Sequence, residues 1–195
     1  MHSYTDSIKI AGIEILSDLG KFTATSYWEN GPAGYLKNRA KRLGLEVSVD
    51  QWGNVLAVKP GSDPNAEGIA FVAHMDHPGY EVVAQQGDQL VLKTLGGIGI
   101  AAGRNGAEIL VIDASGRRII ATVVGAEKAE GNFQRSRESA GWLGTDTVYA
   151  QLSSDHDLGV LPVPAVPNLP DFIIDNDLVR MRAADDLAGC AAILA

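Results

Sequence analysis

The residues Gly68-Ile69-Ala70-Phe71-Val72 form an unbroken apolar run that closes on Ala73-His74-Met75-Asp76. Such a run has no polar face to give to water. It predicts a strand covered on both sides, as in the parallel layer of an α/β domain, rather than one face of a half-wetted sheet. A strand ending in His-x-Asp delivers an imidazole to the C-terminal edge of its sheet. The next residue on the same face is then a carboxylate. One ring nitrogen of His74 can bind a metal while Asp76 helps fix the orientation and tautomer of the ring.

A second acidic signal, Ala184-Asp185-Asp186-Leu187-Ala188-Gly189, lies 111 positions after His74 and opens an apolar helical segment. An aspartate at a strand-to-helix junction can bridge two metal ions. The two signals together read as half of a dinuclear metal centre.

The segments between them divide by texture. Ile8, Ile10, Ile13, Ile15, Leu16 and Leu19 recur at mostly helical intervals and predict a helix over 5–20. A second helix is expected from near Pro32 to Leu43, stopped by Gly44, with Lys37, Arg39, Lys41 and Arg42 toward its C-terminal end. Strands over 45–49 and 54–58 flank a turn at Gly53. After Gly79 helical periodicity disappears. Short strands are expected at 81–84, 89–93, 108–112 and 118–124, with turns at 86–88 and 114–116, as in a small barrel or sandwich. The polar stretch 127–145 reads as an exposed loop, and the α/β texture returns near 171–174 and 178–181. The fold class is therefore α/β with an all-β barrel-like insertion. Residues 1–79 and 170–195 make a partial α/β domain, and 80–169 the inserted β-rich domain. From Asp186 to Ala195 the chain is apolar nearly all round, without a basic last turn or glycine cap, and so reads as a core helix cut short.

The net charge of −8 disfavours nucleic acid and anionic membranes as partners. The single cysteine, Cys190, rules out an internal disulfide framework and a cysteine-based zinc cluster, so any zinc here needs His and carboxylate ligands. The first residues lack the basic start and apolar stretch of a secretory signal, and no window is apolar enough to cross a bilayer. The expectation is a cytoplasmic protein.

His74-Met75-Asp76 with Gly79-Tyr80, Leu95-Gly96-Gly97, and Asp185-Asp186 with Gly189 resemble the glutamyl/deblocking aminopeptidases, co-catalytic metallopeptidases known for tetrahedral particles. The long β insertion between the His-x-Asp and Asp-Asp signals selects this family among its relatives. The resemblance implies a zinc-aminopeptidase-like catalytic layer, with His74 ligating one metal and Asp185 bridging two divalent ions, zinc or cobalt. Asp76 would stand behind His74, and the Asp185–Asp186 peptide bond would be cis. It further implies peptide substrates and a homo-oligomer. Two positions depart from the family pattern: Leu187 stands where an arginine is usual, and His77-Pro78 replaces an acidic-aliphatic pair.

In this family a Glu-Glu pair after the Asp pair supplies the general base and a ligand, and a further Asp and a late His complete the set. The chain ends ten residues after Asp185 and holds none of these. Peptide hydrolysis needs an activated water, a base and a polarised carbonyl. A catalytic zinc ordinarily takes three protein ligands. With two donors for two metals, the chain is expected to bind metal poorly or not at all and to be silent as an enzyme, as the N-terminal part of an aminopeptidase. The alternative is a non-catalytic interaction or oligomerisation module on a peptidase-like scaffold. A related deacylase or carboxypeptidase is a third reading.

Other candidates have plainer readings. Asp185 and Asp186 can simply cap the last helix. His77, beside Pro78, reads as a turn residue, His156 as solvated surface and His2 as terminus. Cys190 reads as a small buried side chain. The glycines of 96–103 lack the following helix and lysine of a phosphate loop. Trp28, Trp52 and Trp142 are too scattered to form a binding platform.

Overall fold

The computed structural model describes residues 4–63, 65–127, 141 and 143–195. They fall into two compact units, one of 1–76 with 170–195 and one of 77–169. The architecture is α/β with a closed six-stranded barrel.

In the first unit, α1 (Tyr4–Gly20) and α2 (Asn30–Arg42) precede a hairpin of β1 (Glu46–Val49) and β2 (Val55–Val58). The hairpin turn is built by Asp50, whose carboxylate accepts the backbone N–H groups of Trp52 and Asn54 and the Asn54 side-chain amide. Gly53 adopts φ +91°, which costs a glycine nothing. A second hairpin joins strands Ile173–Asp175 and Leu178–Arg180 through Asn176 and Asp177. Both turn residues have positive φ, the pairing that a tight two-residue hairpin requires. The last helix covers Ala184–Ile193. Ile15, Leu16 and Leu19 of α1 pack with Leu36 and Ala40 of α2 and with Leu187, Cys190, Ala191 and Leu194 to form this unit's core.

The run 68–74 is not a strand, contrary to the sequence expectation. The four strands of this unit pair only within their own hairpins, β1 with β2 and Ile173–Asp175 with Leu178–Arg180. Among the described residues no strand edge takes up the backbone of 68–74, and an apolar run gains a ladder only from a neighbour. Ile69, Phe71 and Val72 stand 84%, 77% and 89% exposed, while Ala73 and Met75 lean into the core.

The second unit is the barrel. Its strands are β3 (Gly79–Gln86), β4 (Gln89–Leu95), β5 (Glu108–Ile112), β6 (Arg118–Ala126), β7 (Thr147–Leu152) and β8 (Val163–Pro167). They close antiparallel in the order β3-β4-β7-β6-β5-β8, with a short helix α3 (Ile100–Gly103) between β4 and β5. Numbering in chain order then makes β9 (Ile173–Asp175), β10 (Leu178–Arg180) and α4 (Ala184–Ile193) the remaining elements. Period-2 alternation sends Tyr80, Val82, Leu90, Leu92, Ile109, Val111, Ala121, Val123, Val148 and Ala150 inward, and closure leaves no bare edge. Irregularities at Val82/Ala84 and Val123/Gly125 interrupt the register. β7 and β8 escape sequence reading, β8 because prolines frame it. The expected exposed loop 127–145 is corrected at its end, where Leu143 packs on the barrel core and Thr145 is buried. Residues 128–140 and Trp142 lie outside the described residues.

His156 is also not solvated surface. With Arg117 and Ser115 it encloses the buried Asp113 carboxylate. That group accepts the Ser115 hydroxyl (2.7 Å), the Ser115 and Arg117 backbone N–H groups (2.8 and 2.9 Å), Arg117 Nε–H (2.8 Å) and His156 Nε2–H (3.0 Å). The Ser115 hydroxyl first, then His156 and Arg117, hold the Asp113 carboxyl well below the ordinary carboxylate range despite its burial. Because the folded pKa is depressed, this stabilisation is present above the unfolded value of about 4 and lost as pH falls below it. Asp113→Asn is expected to lower the melting temperature of the barrel by several degrees at pH 7. The deficit should narrow progressively below about pH 4, as thermal melts across the acid range would record.

Candidate metal centre

Ala73 and Met75 point into the core of the first unit, and the residues alternating with them, His74 and Asp76, face away from it. The hydrophobic contact of two side chains thus aims the two polar ones. Asp185 arrives at the head of α4, where Asp185 and Asp186 depart from helical geometry and the peptide bond between them is cis. Leu187 is fully buried and ties this turn to the core.

His74 Nδ1 lies 2.9 Å from the Asp76 carbonyl oxygen and 3.3 Å from Asp76 Oδ1. A carbonyl oxygen only accepts, so Nδ1 carries the proton. In the neutral ring the Nε2 lone pair then faces Asp185 Oδ1 at 3.3 Å. Two acceptors opposed at that distance favour a positive charge. The ring responds accordingly. Burial opposes its charged form most, but the hydrogen bond to the Asp76 backbone and the charges of Asp76, Asp185 and Asp186 outweigh burial and raise its pKa. A proton satisfies this demand, and so would a divalent cation. The Asp185 side chain is 95% exposed, leaving its remaining lone pairs open.

The surrounding groups have other duties. Ser26 Oγ donates to Asp76 Oδ2 at 2.6 Å. Asp186 Oδ1 accepts the Gly189 backbone N–H at 3.0 Å, so Asp186 caps the helix while Asp185 projects. A Cβ at position 189 would collide with the Asp186 carboxylate, which accounts for glycine there. The Cys190 thiol donates to the His74 carbonyl oxygen at 3.4 Å. Burial, and then the Asp186 charge, push that thiol up to about 11, so it stays protonated near neutrality. His77 is buried, with Nδ1–H donating to the Pro78 carbonyl oxygen.

The structure therefore brings His74, Asp76 and Asp185 together. Among the described residues, no group of three or more His, Cys, Asp or Glu side chains is placed to hold a metal ion. The donor set present suits one edge of a metal site: an oriented imidazole nitrogen and an open carboxylate. Sequence reading missed Ser26, which lies fifty residues before Asp76 in a connection with no local signature.

The chain resembles solved peptidase structures. Aminopeptidase APDkam598 from the archaeon Desulfurococcus kamchatkensis aligns with a TM-score of 0.72 at 18% identity, over 94% of this chain and 50% of its own. The Pyrococcus horikoshii TET1 peptidase, which can assemble into a tetrahedron or a large octahedral shell, aligns at 0.68 with 21% identity, over 94% of this chain and 54% of its own. A Thermotoga maritima protein described as an endoglucanase aligns at 0.65 with 18% identity, over 92% and 52%. The fold is shared with these chains. The protein spans about half of their length. No family model matches the sequence, and no curated protein matches it.

Proposed function

We propose that the protein is the N-terminal part of a metal-dependent aminopeptidase that removes N-terminal residues from peptides. The observation that carries this reading is the approach of His74 Nε2 to Asp185 Oδ1 at 3.3 Å across 111 positions of sequence, with Asp76 behind the ring. His74 and Asp185 would hold the cation edge, with Asp185 shared between two divalent ions such as zinc or cobalt. Asp76 keeps the proton on Nδ1 and the lone pair on Nε2. Bound metal would supply Lewis acidity toward water and the scissile carbonyl. The described residues gather no group of three or more such donors, and in this reading the 195-residue chain alone is silent as a hydrolase.

The assemblies described for the Pyrococcus peptidase support a homo-oligomer for the complete protein. No described helix is long and apolar enough to cross a membrane. The alternative, an interaction or oligomerisation module, is favoured by the contrast between a fully closed barrel and a site with too few donors.

Titration calorimetry with Co²⁺ and Zn²⁺, beside an aminoacyl-anilide assay, tests the reading. Weak binding is expected, reduced at least about tenfold by His74→Ala, without turnover above that variant. Metal binding identical in wild type and His74→Ala would remove the site. Robust turnover by the chain alone would remove its silence.

A further inference from the structure

We infer that the Tyr27 ring is a specificity lip of this site and selects peptides whose first side chain is apolar or aromatic. The inference deepens the aminopeptidase reading and rests on it. Thr25 to Trp28 form a tight turn, closed by the Trp28 N–H on the Thr25 carbonyl oxygen at 2.9 Å. Tyr27 takes the third position of that turn with φ +75°. Glycine adopts such a conformation freely, and a bulky side chain adopts it only under strain. Packing does not offset the strain, because Tyr27 is 81% exposed and belongs to neither core.

A second unfavourable feature lies in the same turn. Thr25 is fully buried, and among the described residues its hydroxyl has no hydrogen-bond partner, which is rare in a native fold. The turn is nonetheless held in place. The Tyr27 N–H donates to Glu29 Oε1 at 2.8 Å, and Ser26 Oγ donates to Asp76 Oδ2 at 2.6 Å. Ser26 thereby moors Tyr27 one residue away from the carboxylate that stands beside His74. Strained backbone of this kind gathers at ligand sites. The chemistry of this corner is divided. The carboxylates of Glu29, Asp76 and Asp185 suit the free α-ammonium group of a peptide. The Tyr27 ring adds an exposed apolar face, on which an aromatic or aliphatic side chain stacks and a glycine gains nothing.

The test titrates the 195-residue protein, with its tyrosine rings ¹³C-labelled, against the peptides Phe-Gly-Gly and Gly-Gly-Gly. Wild type is expected to bind Phe-Gly-Gly about fivefold more tightly, the order of one aromatic stacking contact, with the Tyr27 ring signals moving on saturation. Tyr27→Phe should keep this preference. Tyr27→Gly should abolish it, bringing Phe-Gly-Gly to the affinity of Gly-Gly-Gly, while the melting temperature holds or rises because glycine relieves the turn. A preference that survives Tyr27→Gly overturns the inference, and so does its absence in wild type. A melting temperature several degrees lower in Tyr27→Gly would make the ring structural and overturn it as well. Calorimetry with Co²⁺ separates this from the reading beneath it. If His74→Ala leaves metal binding unchanged, the metal site falls, while the peptide preference still decides the role of Tyr27.

Discussion

Leu187→Ala is expected to unfold the first unit far more readily while leaving the barrel intact. Leu187 is fully buried against residues of α1, α2 and α4, and truncating such a leucine costs about 2–5 kcal/mol, the larger values applying where the site cannot collapse. Collapse is hindered here because α4 is short and its head is fixed by the Asp186 cap on Gly189. At about 1.4 kcal/mol per decade, protection of amides in α1 and α4 should fall by roughly 30-fold or more in native-state hydrogen exchange. Amides of β3 to β8 belong to a separate compact unit with its own core and should keep their wild-type rates. Because Leu187 also anchors the turn that presents Asp185, the same substitution should weaken Co²⁺ binding. Unchanged protection in α1 and α4 would mean that the turn is not held by this side chain.

The legible parts of this chain were those whose signals are local. Helical spacing of Ile8 to Leu19 marks α1, the turn at Gly53 marks the first hairpin, and glycine-punctuated alternation marks four of the six barrel strands. The pairing of His74 with Asp185 was legible only as chemistry, since nothing in the intervening 110 residues encodes it locally. Ser26 was not legible at all: one hydroxyl in Thr23-Ala24-Thr25-Ser26 gains meaning only when the α1–α2 connection meets Asp76. His156 was misread because an acidic neighbourhood resembles solvated surface, whereas the barrel folds it over the buried Asp113. The run 68–74 was misread for the opposite reason. Its composition states what environment it needs, and composition cannot supply the neighbouring strands.

That unmet need makes the second large effect. Ile69, Phe71 and Val72 are exposed in series, and on the same unit Leu56, Ile174 and Leu178 are exposed too. Burying side chains of this size is worth about 1.5–3 kcal/mol each, so a surface that covers the first three together gains more than any single polar contact described above offers. The backbone of 68–74 is also outside every described ladder, and an unpaired apolar segment is a template for pairing with another chain. The 195-residue protein is therefore expected to bind an apolar fluorescent dye and to self-associate reversibly with rising concentration. The triple variant Ile69→Thr, Phe71→Ser and Val72→Thr should reduce dye fluorescence severalfold and weaken association more than tenfold in sedimentation velocity. Its melting temperature should barely change, since these side chains contribute little to either core. The same variant should leave Co²⁺ affinity intact, because Ala73 and Met75, which aim His74 and Asp76, are untouched. A triple variant that associates as strongly as wild type would place the adhesive surface elsewhere. It would also mean that the apolar run at 68–72 is not a face awaiting the rest of a sheet.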